Sequence, residues 1–294
     1  MTGSAAAPAI SLITTCKGRL SLLKQALPRM VAQPRAEVIV VDYDCPERSG
    51  GWVAEEYPAA RVVQIGNAPV FNMAHARNLG AQAARAEWLC FVDADSLLDD
   101  RFVEQALPRL HHGGFYSMAD ARFDAAGTII CAREDFIGLE GYDEVLQGWG
   151  AEDDDFRLRL RVRGCAHETL PGEWLRTIGH DDAARVQYYD IKDRWLSQRI
   201  NASYVQIKHD LARQFGTPDL PLDARRAVYA QVRQTLQRGA ESGNGSVRIQ
   251  ITLPPELVVR FRGWHMTRSW VYEIAPAPPL TAAGSEPALH VAPI

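Results

Sequence analysis

The chain has 294 residues, and its 32 Lys and Arg against 36 Asp and Glu give a formal net charge of −4. Apolar residues make up 47% and charged residues 23%, which is typical of a globular protein with one or two domains. The lack of a basic excess argues against a protein held on nucleic acid mainly by phosphate contacts, although it leaves room for a local basic face.

No apolar run approaches the ~18 residues that cross a bilayer. The first ten residues lack the basic start and apolar stretch of a secretory signal. The five cysteines are dispersed and form no CxxC pair, which fits reduced, buried thiols better than a disulfide framework or a zinc site. These features predict a cytoplasmic protein without a transmembrane segment.

The first hundred residues alternate short apolar runs with helical patterns. Strands are predicted at 10–15, 38–42, 61–65 and 88–93, and helices at 20–31 and 72–86. The β-branched run at 38–41 is typical of a strand buried on both faces. Strands separated by helices of this length predict βαβ crossovers and a mostly parallel sheet, that is, an α/β fold.

The pattern changes after residue 108. Two strand-like runs at 115–118 and 128–132 flank a turn signal at 124–127 and predict an antiparallel excursion from the sheet. Helices are predicted at 152–163, 183–215 and 222–239, and strands at 247–253, 257–261 and 269–274. We therefore predict a domain at 9–182, a helical and β extension at 183–274, and a disordered tail rich in Pro and Ala at 275–294.

Two carboxylates follow the strand predicted at 88–93, in the sequence Asp93-Ala94-Asp95. Ligands of open α/β sheets bind outside the carboxyl ends of the strands. Carboxylates at i and i+2 of a turn can reach one ion, and oxygen ligands suit Mg²⁺ or Mn²⁺, which would neutralise a diphosphate. An alternative is that Asp95 only caps the helix predicted near Asp99.

A second motif joins Gly148-Trp149-Gly150 to four acidic residues at 152–155. A solvated helix start explains the acidity, because the helix dipole favours carboxylates there. It does not explain the glycines, which let backbone approach a ligand, or the indole, which offers a flat apolar platform for a sugar ring. A carboxylate beside that platform can act as a general base.

Other polar residues could join these motifs. His180 lies downstream of both and could supply an imidazole to the same metal, although a lone histidine is more often structural. Asp42 could accept from a base N–H, and Arg77 could contact phosphate or Asp93. The residues at the predicted carboxyl edge, or on the helix that faces it, are Thr14, Thr15, Arg19, Asp42, Asp44, Asn72, His75, Arg77 and Asn78.

In this order, the motifs resemble those of GT-A glycosyltransferases. The resemblance rests on the strands that end in Asp, on Ala-His-Ala-Arg-Asn-Leu-Gly at 74–80, on Phe-Val-Asp-Ala-Asp at 91–95 and on Gly-Trp-Gly-Ala-Glu-Asp-Asp-Asp at 148–155. It covers residues 9–182. The chain resembles most the family 2 enzymes, including bacterial chondroitin-polymerase-type domains, and the C-terminal motif of β-1,4-galactosyltransferases.

This resemblance implies a GT-A fold, a UDP-linked donor of the Gal, GalNAc, GlcNAc or Glc class, and Mn²⁺ or Mg²⁺. It implies that Asp95 and His180 bind the metal, with Asp93 on the metal or the donor ribose. It implies that Asp153 deprotonates the acceptor hydroxyl, with Glu152 orienting the acceptor or a backbone amide. Retaining relatives tend to have Glu-Asn where this chain has Glu-Asp, which favours inversion.

The resemblance and the residue patterns together define the predicted site. The nucleotide-sugar residues are Thr14, Thr15, Arg19, Asp42, Asp44, Arg77, Asn78, Asp93 and Ala94. The acceptor platform comprises Trp149, Gly150 and Asp154, beside the catalytic pair Asp153 and Glu152. The expected acceptor is a glycan or glycoconjugate.

The chain departs from the related motifs at two places. Ala151 stands where the galactosyltransferase motif has a second Gly. Ile191 stands where processive family 2 enzymes have the Gln of Gln-x-x-Arg-Trp, so we interpret Arg194-Trp195 as a chance match and the enzyme as non-processive.

Two other functions stay open at this point. A sugar-phosphate nucleotidyltransferase would need a glycine-rich basic loop after the first strand, and the loop at 14–19 has one Gly. A non-catalytic nucleotide-sugar or carbohydrate-binding module would not need acidic residues at every expected position. The Arg- and aromatic-rich segment 247–274 could bind an anionic acceptor or a membrane surface. The long helices could pack against the predicted domain, form the acceptor wall or make a homodimer.

Overall fold

The protein is represented by a computed structural model that describes residues 7–119, 127–179, 182–243, 246–251, 259–261, 264–266 and 269–275. Most of the predicted disordered tail and the residues of the predicted turn at 124–126 lie outside these residues, as does His180. None of the helices in the described part of the chain is both long and apolar enough to cross a membrane.

The main sheet has seven strands within the described residues. They are β1 (Ile10–Cys16), β2 (Ala36–Tyr43), β3 (Arg61–Ile65), β4 (Trp88–Phe91), β6 (Gly114–Met118), β7 (Ile129–Ala132) and β8 (Ala166–Leu170). Their order is β3-β2-β1-β4-β7-β6-β8. Strands β1 to β4 pair in parallel, and β7 pairs antiparallel with both β4 and β6. The predicted α/β fold is confirmed.

Helices cover both faces of this sheet. They are α1 (Leu20–Val31), α2 (Ser49–Glu56), α3 (Met73–Ala83), α4 (Phe102–Ala106), α5 (Arg133–Gly138) and α6 (Glu152–Val162). Successive residues of β1 point to opposite faces, so Leu12 packs with Leu23 and Leu27 of α1, while Ile13 packs with Ala81 of α3. Burial on both sides explains the apolar run at 38–41 of β2, and every residue of β1 is likewise buried.

The C-terminal part is built around two long helices. The remaining helices are α7 (Asp182–Val186), α8 (Arg194–Phe215) and α9 (Leu222–Glu241), and the remaining strands are β5 (Ser96–Leu98), β9 (Leu175–Thr177), β10 (Val247–Ile251), β11 (Val259–Phe261), β12 (Trp264–Met266) and β13 (Trp270–Ile274). Helices α8 and α9 share an apolar core with Val145 and Leu146. The extension therefore packs on the segment that precedes α6.

One predicted helix is wrong in extent. The pattern at 183–215 predicts a continuous helix, but α7 ends at Val186 and α8 begins at Arg194. Asp193 caps α8, because its side chain accepts hydrogen bonds from the backbone N–H groups of Trp195 and Leu196. The break turns Tyr188 and Tyr189 towards the carboxyl edge of the sheet.

Candidate active site

A buried arginine joins the two acidic motifs. Arg77 lies in the second turn of α3, and its side chain is 3% exposed. Its Nη1 lies 2.6 Å from Asp153 Oδ1 and 3.7 Å from Glu152 Oε1, and its Nη2 lies 3.0 Å from Asp93 Oδ1. The carboxylates that follow β4 and those that open α6 therefore form one cluster with Arg77, which we call the Arg77 cluster.

Close packing of α3 on the sheet places this arginine. A Cβ on Gly80 would lie 2.4 Å from Ile13 Cγ2, so a side chain there would push the helix away from β1. At its N-terminus α3 is capped by Asn72, whose side chain accepts a hydrogen bond from His75 N at 2.9 Å. Arg77 is thereby fixed on the buried face of the helix.

Tyr142 completes the wall of the Arg77 cluster. The Arg77 guanidinium lies 5.1 Å from the centre of the Tyr142 ring, and the Tyr142 hydroxyl donates to Asp153 Oδ1 at 3.4 Å. The ring also stacks on Phe156 of α6 with centroids 4.3 Å apart. Asp153 is thus held from two sides, by a cation and by a phenol.

Burial shifts the protonation of the two catalytic candidates. Burial and, to a smaller extent, the neighbouring Asp153 charge raise the pKa of Glu152 to about 7, against the lowering effect of Arg77. Burial likewise raises the pKa of Asp153 to about 6, against the lowering effects of Arg77 and Arg157. A general base is most effective when its pKa lies near the working pH, and both carboxylates fall in that range.

Left-handed backbone leads into α6. Gly148, Gly150 and Ala151 have φ values of +81°, +96° and +69°. A Cβ on Gly148 would also lie 2.3 Å from Ser197 Oγ, so this position needs glycine. Ala151 adopts the left-handed conformation with a Cβ, at a cost of about 1–2 kcal/mol. The departure from a second Gly therefore leaves the backbone turn in place.

The predicted acceptor platform is held by α8. Trp149 N donates to Ser197 Oγ at 2.7 Å, and Asn201 Nδ2 donates to Gly150 O at 2.8 Å. The Arg194 guanidinium lies 4.1 Å from the Trp149 ring centre and 5.0 Å from that of Trp195. Arg194 therefore lies against the platform, while the interpretation of Arg194-Trp195 as a chance match to the processive motif stays a prediction.

The predicted metal ligands are partly described. Asp95 is nearly buried, with Oδ2 3.8 Å from Arg19 Nη1. Its backbone O accepts from Ile178 N at 2.8 Å, as a continuation of the β5–β9 pairing. Across the described residues, no group of three or more His, Cys, Asp or Glu side chains converges on a point that could hold a metal ion. Asp93 and Asp95 supply the hard oxygen donors that Mg²⁺ and Mn²⁺ prefer, and so fit such an ion by their chemistry.

Part of the predicted nucleotide site lines a narrow cleft of about 20 Å³. The lining residues are Thr15, Lys17, Arg19, Phe71, Met73, Asp93, Ala94, Ala184, Arg185, Tyr188 and Tyr189. Ligand pockets typically measure roughly 300–1,000 Å³. Tyr188 accounts for the closure, since its backbone O accepts from Phe71 N at 2.9 Å and its ring covers Gly18.

Other predicted nucleotide residues make supporting contacts instead of lining this cleft. Asp42 accepts hydrogen bonds from Cys45 N at 2.8 Å and from Gly50 N at 2.6 Å, so its side chain stabilises the segment that follows β2. Asp44 accepts from Ala68 N at 3.1 Å. Asn78 bonds both backbone groups of Tyr142. Thr14 is fully buried within β1. Their contact with a nucleotide stays a prediction.

Asp154 points away from the Arg77 cluster. Its side chain is 51% exposed, and it lies 3.3 Å from Arg157 on the same helix.

Two residues near the site, Tyr142 and the buried cation Lys208, could not be found from the sequence, because a single Tyr or Lys inside a loop or a long helix carries no motif. Lys208 lies at helical spacing from the buried Tyr204 and Leu211, which is the one signal that it faces inward.

Two family models match parts of the first 181 residues. The family model for glycosyl transferase family 2 matches residues 11–129, and the model described as the N-terminal domain of galactosyltransferase matches residues 116–181. Over these residues the chain is similar to glycosyltransferase family 2 and to the galactosyltransferase domain. Its fold class and its assignment as a glycosyltransferase are confirmed, while the β-1,4-galactosyltransferase character of the acidic motif stays a prediction.

Solved structures agree on the fold. The mannosyltransferase PcManGT from Pyrobaculum calidifontis, in complex with GDP-Man and Mn²⁺, is 18% identical over 81% of this chain and 76% of its own, with a TM-score of 0.51. TarS from S. aureus is 14% identical over 83% of this chain and 64% of its own, with a TM-score of 0.50. No curated protein sequence matches this one. At these identities the structural likeness shows the GT-A fold alone.

Proposed function

We propose that this glycosyltransferase is metal-dependent and inverting, and that it transfers a hexosyl unit of the Gal, GalNAc, GlcNAc or Glc class from a UDP-sugar to a hydroxyl of a glycan or glycoconjugate. The observation that carries the proposal is the Arg77 cluster, which joins Asp93 to Asp153 at the carboxyl edge of the sheet. Ligands of open α/β sheets bind at this edge, so we expect the donor sugar nucleotide beside Asp93 and the acceptor beside Asp153.

Asp153 is the proposed base. Its carboxylate takes the proton of the acceptor hydroxyl as that oxygen bonds to the anomeric carbon. The bond from the anomeric carbon to the diphosphate breaks on the opposite face, so UDP leaves and the configuration inverts. Trp149 stacks against the acceptor ring, and Tyr142 and Arg77 keep the carboxylate in place.

Asp93, Asp95 and His180 are the proposed holders of Mn²⁺ or Mg²⁺. The ion would neutralise charge on the diphosphate leaving group. Support comes from the donor chemistry of the two carboxylates and from the hydrogen bond of Ile178 N to Asp95 O, which brings the chain close to Asp95 two residues before His180. Arg19, 3.8 Å from Asp95, adds a cation at the same edge.

Product formation with a donor panel tests this function. UDP-Gal, UDP-GalNAc, UDP-GlcNAc and UDP-Glc are offered with Mn²⁺ or Mg²⁺, and GDP-Man is included because PcManGT was solved with it. We expect metal-dependent turnover, or donor hydrolysis where no acceptor is present, with one UDP-sugar. If a donor binds but no tested glycan acceptor is glycosylated, the result would instead favour the non-catalytic binding module.

Loss of the Asp95 carboxylate should abolish the metal-dependent stabilisation by UDP. Asp95→Ala removes one of the proposed oxygen ligands, so UDP with Mn²⁺ should no longer raise the Tm. Asp100→Ala is the matched control, because that carboxylate is 88% exposed and lies off the cleft. An undiminished Tm shift in Asp95→Ala would remove Asp95 from the metal site.

Turnover should rise as pH increases through about 6 to 7 and then level off. The base must be ionised to accept a proton, and burial raises the pKa of Asp153 to about 6 and that of Glu152 to about 7. If the base were an aspartate with an ordinary pKa, the rise in turnover would lie near pH 4. The measurement is kcat at saturating donor and metal between pH 5 and 8.5. A profile that is flat over this range would contradict the assignment.

A further inference from the structure

A polar stripe runs along the buried face of α8. Ser197, Asn201, Tyr204 and Lys208 follow the i, i+4, i+7, i+11 spacing of one helix face, and all four are buried. A buried helix face is normally apolar, and polar groups there need partners. Each of the four residues has a partner between residues 143 and 155.

The N-terminal half of the stripe holds the turn before α6. Ser197 accepts from Trp149 N at 2.7 Å, and Asn201 donates to Gly150 O at 2.8 Å. These bonds satisfy backbone groups in the left-handed segment that would otherwise lack partners within α6. They also fix the direction in which α6 begins.

The C-terminal half of the stripe holds the first turn of α6 itself. Lys208 is fully buried, and its Nζ lies 2.5 Å from Asp155 Oδ1 and 3.1 Å from Asp143 Oδ2. Tyr204 donates to the same Asp143 oxygen at 2.7 Å. Asp155 lies two residues from Asp153, so it secures the turn from the side opposite to the Arg77 cluster.

Further charges complete this second buried network. Asp155 also contacts Arg159 at 2.9 Å and His209 at 2.9 Å, and Asp143 contacts Arg225 of α9 at 2.9 Å. Two carboxylates without exposure are thereby matched by the buried Arg159 and Lys208 and by the partly buried Arg225, which lie on three helices. Such a network is sensitive to the removal of one member, because the opposite charge is then left without compensation.

We propose that α8 positions the catalytic turn, with Lys208 and Asn201 as positioning residues that set Asp153 against the acceptor. The inference rests on the proposed function of Asp153. In consequence, the C-terminal helices belong to the catalytic unit, although neither family model extends beyond residue 181. Lys208 acts through Asp155, and Asn201 acts through Gly150.

Two variants test the role of the stripe in the full-length chain. Lys208→Met removes the charge and keeps a similar length. Asn201→Ala removes the hydrogen bonds to Gly150 O and from the Tyr229 hydroxyl without leaving a buried charge unpaired. A misplacement of about 1 Å can reduce catalysis by roughly 10²-fold, so both variants should lower kcat on the order of 10- to 100-fold. The KM for the donor should stay unchanged, because the donor cleft is built from other elements.

Val228→Ala separates positioning from general destabilisation. Val228 is fully buried in the core between α8 and α9 and touches none of these charges, so its truncation should lower the Tm and leave kcat unchanged below the transition. Lower kcat in Asn201→Ala and Lys208→Met at constant donor KM supports the inference, and if Lys208→Met does not fold, Asn201→Ala decides. Unchanged kcat in Asn201→Ala, or an equal fall in Val228→Ala, overturns it. No transfer by the wild-type chain would contradict the proposed function itself and this inference with it.

Discussion

Asp153→Asn should lower kcat by about 10²–10⁴-fold, the usual contribution of a positioned general base. The amide keeps the size of the side chain and can still accept from Arg77, which lies 2.6 Å away, so the turn should keep its shape. Donor binding should stay nearly intact, because Asp153 serves the acceptor side. The measurement is single-turnover transfer at saturating donor and metal.

Glu152→Gln distinguishes the base from its neighbour. Asp153 raises the pKa of Glu152, so Asp153→Asn lowers that pKa and keeps Glu152 ionised at neutral pH. If Glu152 were the base, Asp153→Asn would therefore retain activity and Glu152→Gln would lose it. We expect the larger loss from Asp153→Asn, since Asp153 has direct contacts to Arg77 and Tyr142.

Asp223→Asn is the matched control for this pair. It changes another acidic residue in the first turn of a helix, but one that is 92% exposed on α9. NMR of the product anomer completes the test. Near wild-type transfer by Asp153→Asn, or a product with the anomeric configuration of the donor, would disprove the single-displacement mechanism.

The strands and the first helices could be predicted from sequence because each pattern had one physical cause. The run at 38–41 is apolar since β2 is covered on both faces, and α1 shows helical spacing because it has one buried side. Strand β8 carried no such signal. It lies at the edge of the sheet and is largely exposed, so Ala166–Leu170 shows no apolar alternation.

The candidate site was predictable where residues are close in sequence and not where folding brings them together. Asp93, Asp95 and the 148–155 motif could be found as short patterns, and the Arg77 contact with Asp93 was expected. The link from Arg77 to Asp153 spans 76 positions and depends on how α3 packs against β1. The contact of Arg194 with Trp149 could not be predicted for the same reason, because it depends on where α8 begins after the break.

The same distinction applies to the predicted nucleotide residues. Asp42 was chosen for its place at the carboxyl edge and Asn78 for its place on the helix that faces this edge, and the structure has them at the end of β2 and in α3. Place alone does not fix which partner a polar group finds, since backbone N–H groups in adjoining loops compete for the same oxygens. Asp42 serves Cys45 and Gly50 in this way.

Arg77→Met should be the most destabilising change in the Arg77 cluster. Arg77 is 3% exposed and lies within 4 Å of Asp93, Glu152 and Asp153. Removing a buried cation leaves these carboxylates uncompensated, which costs about 3–5 kcal/mol of unfolding free energy at neutral pH. Urea denaturation at pH 8 measures the loss. Arg101→Met, which breaks an exposed pair with Glu104, should give no resolvable change.

The pH dependence of this loss identifies its origin. Arg77 lowers the pKa of Glu152 and of Asp153 in the folded protein, so both values rise further in Arg77→Met. A carboxyl whose pKa is higher in the folded than in the unfolded state binds its proton more tightly when folded, so stability increases as pH falls towards the unfolded value. The destabilisation should therefore be largest at pH 8 and clearly smaller at pH 5, where protonation removes the repulsion. An equal loss at both pH values would mean that Arg77 stabilises the fold by packing alone.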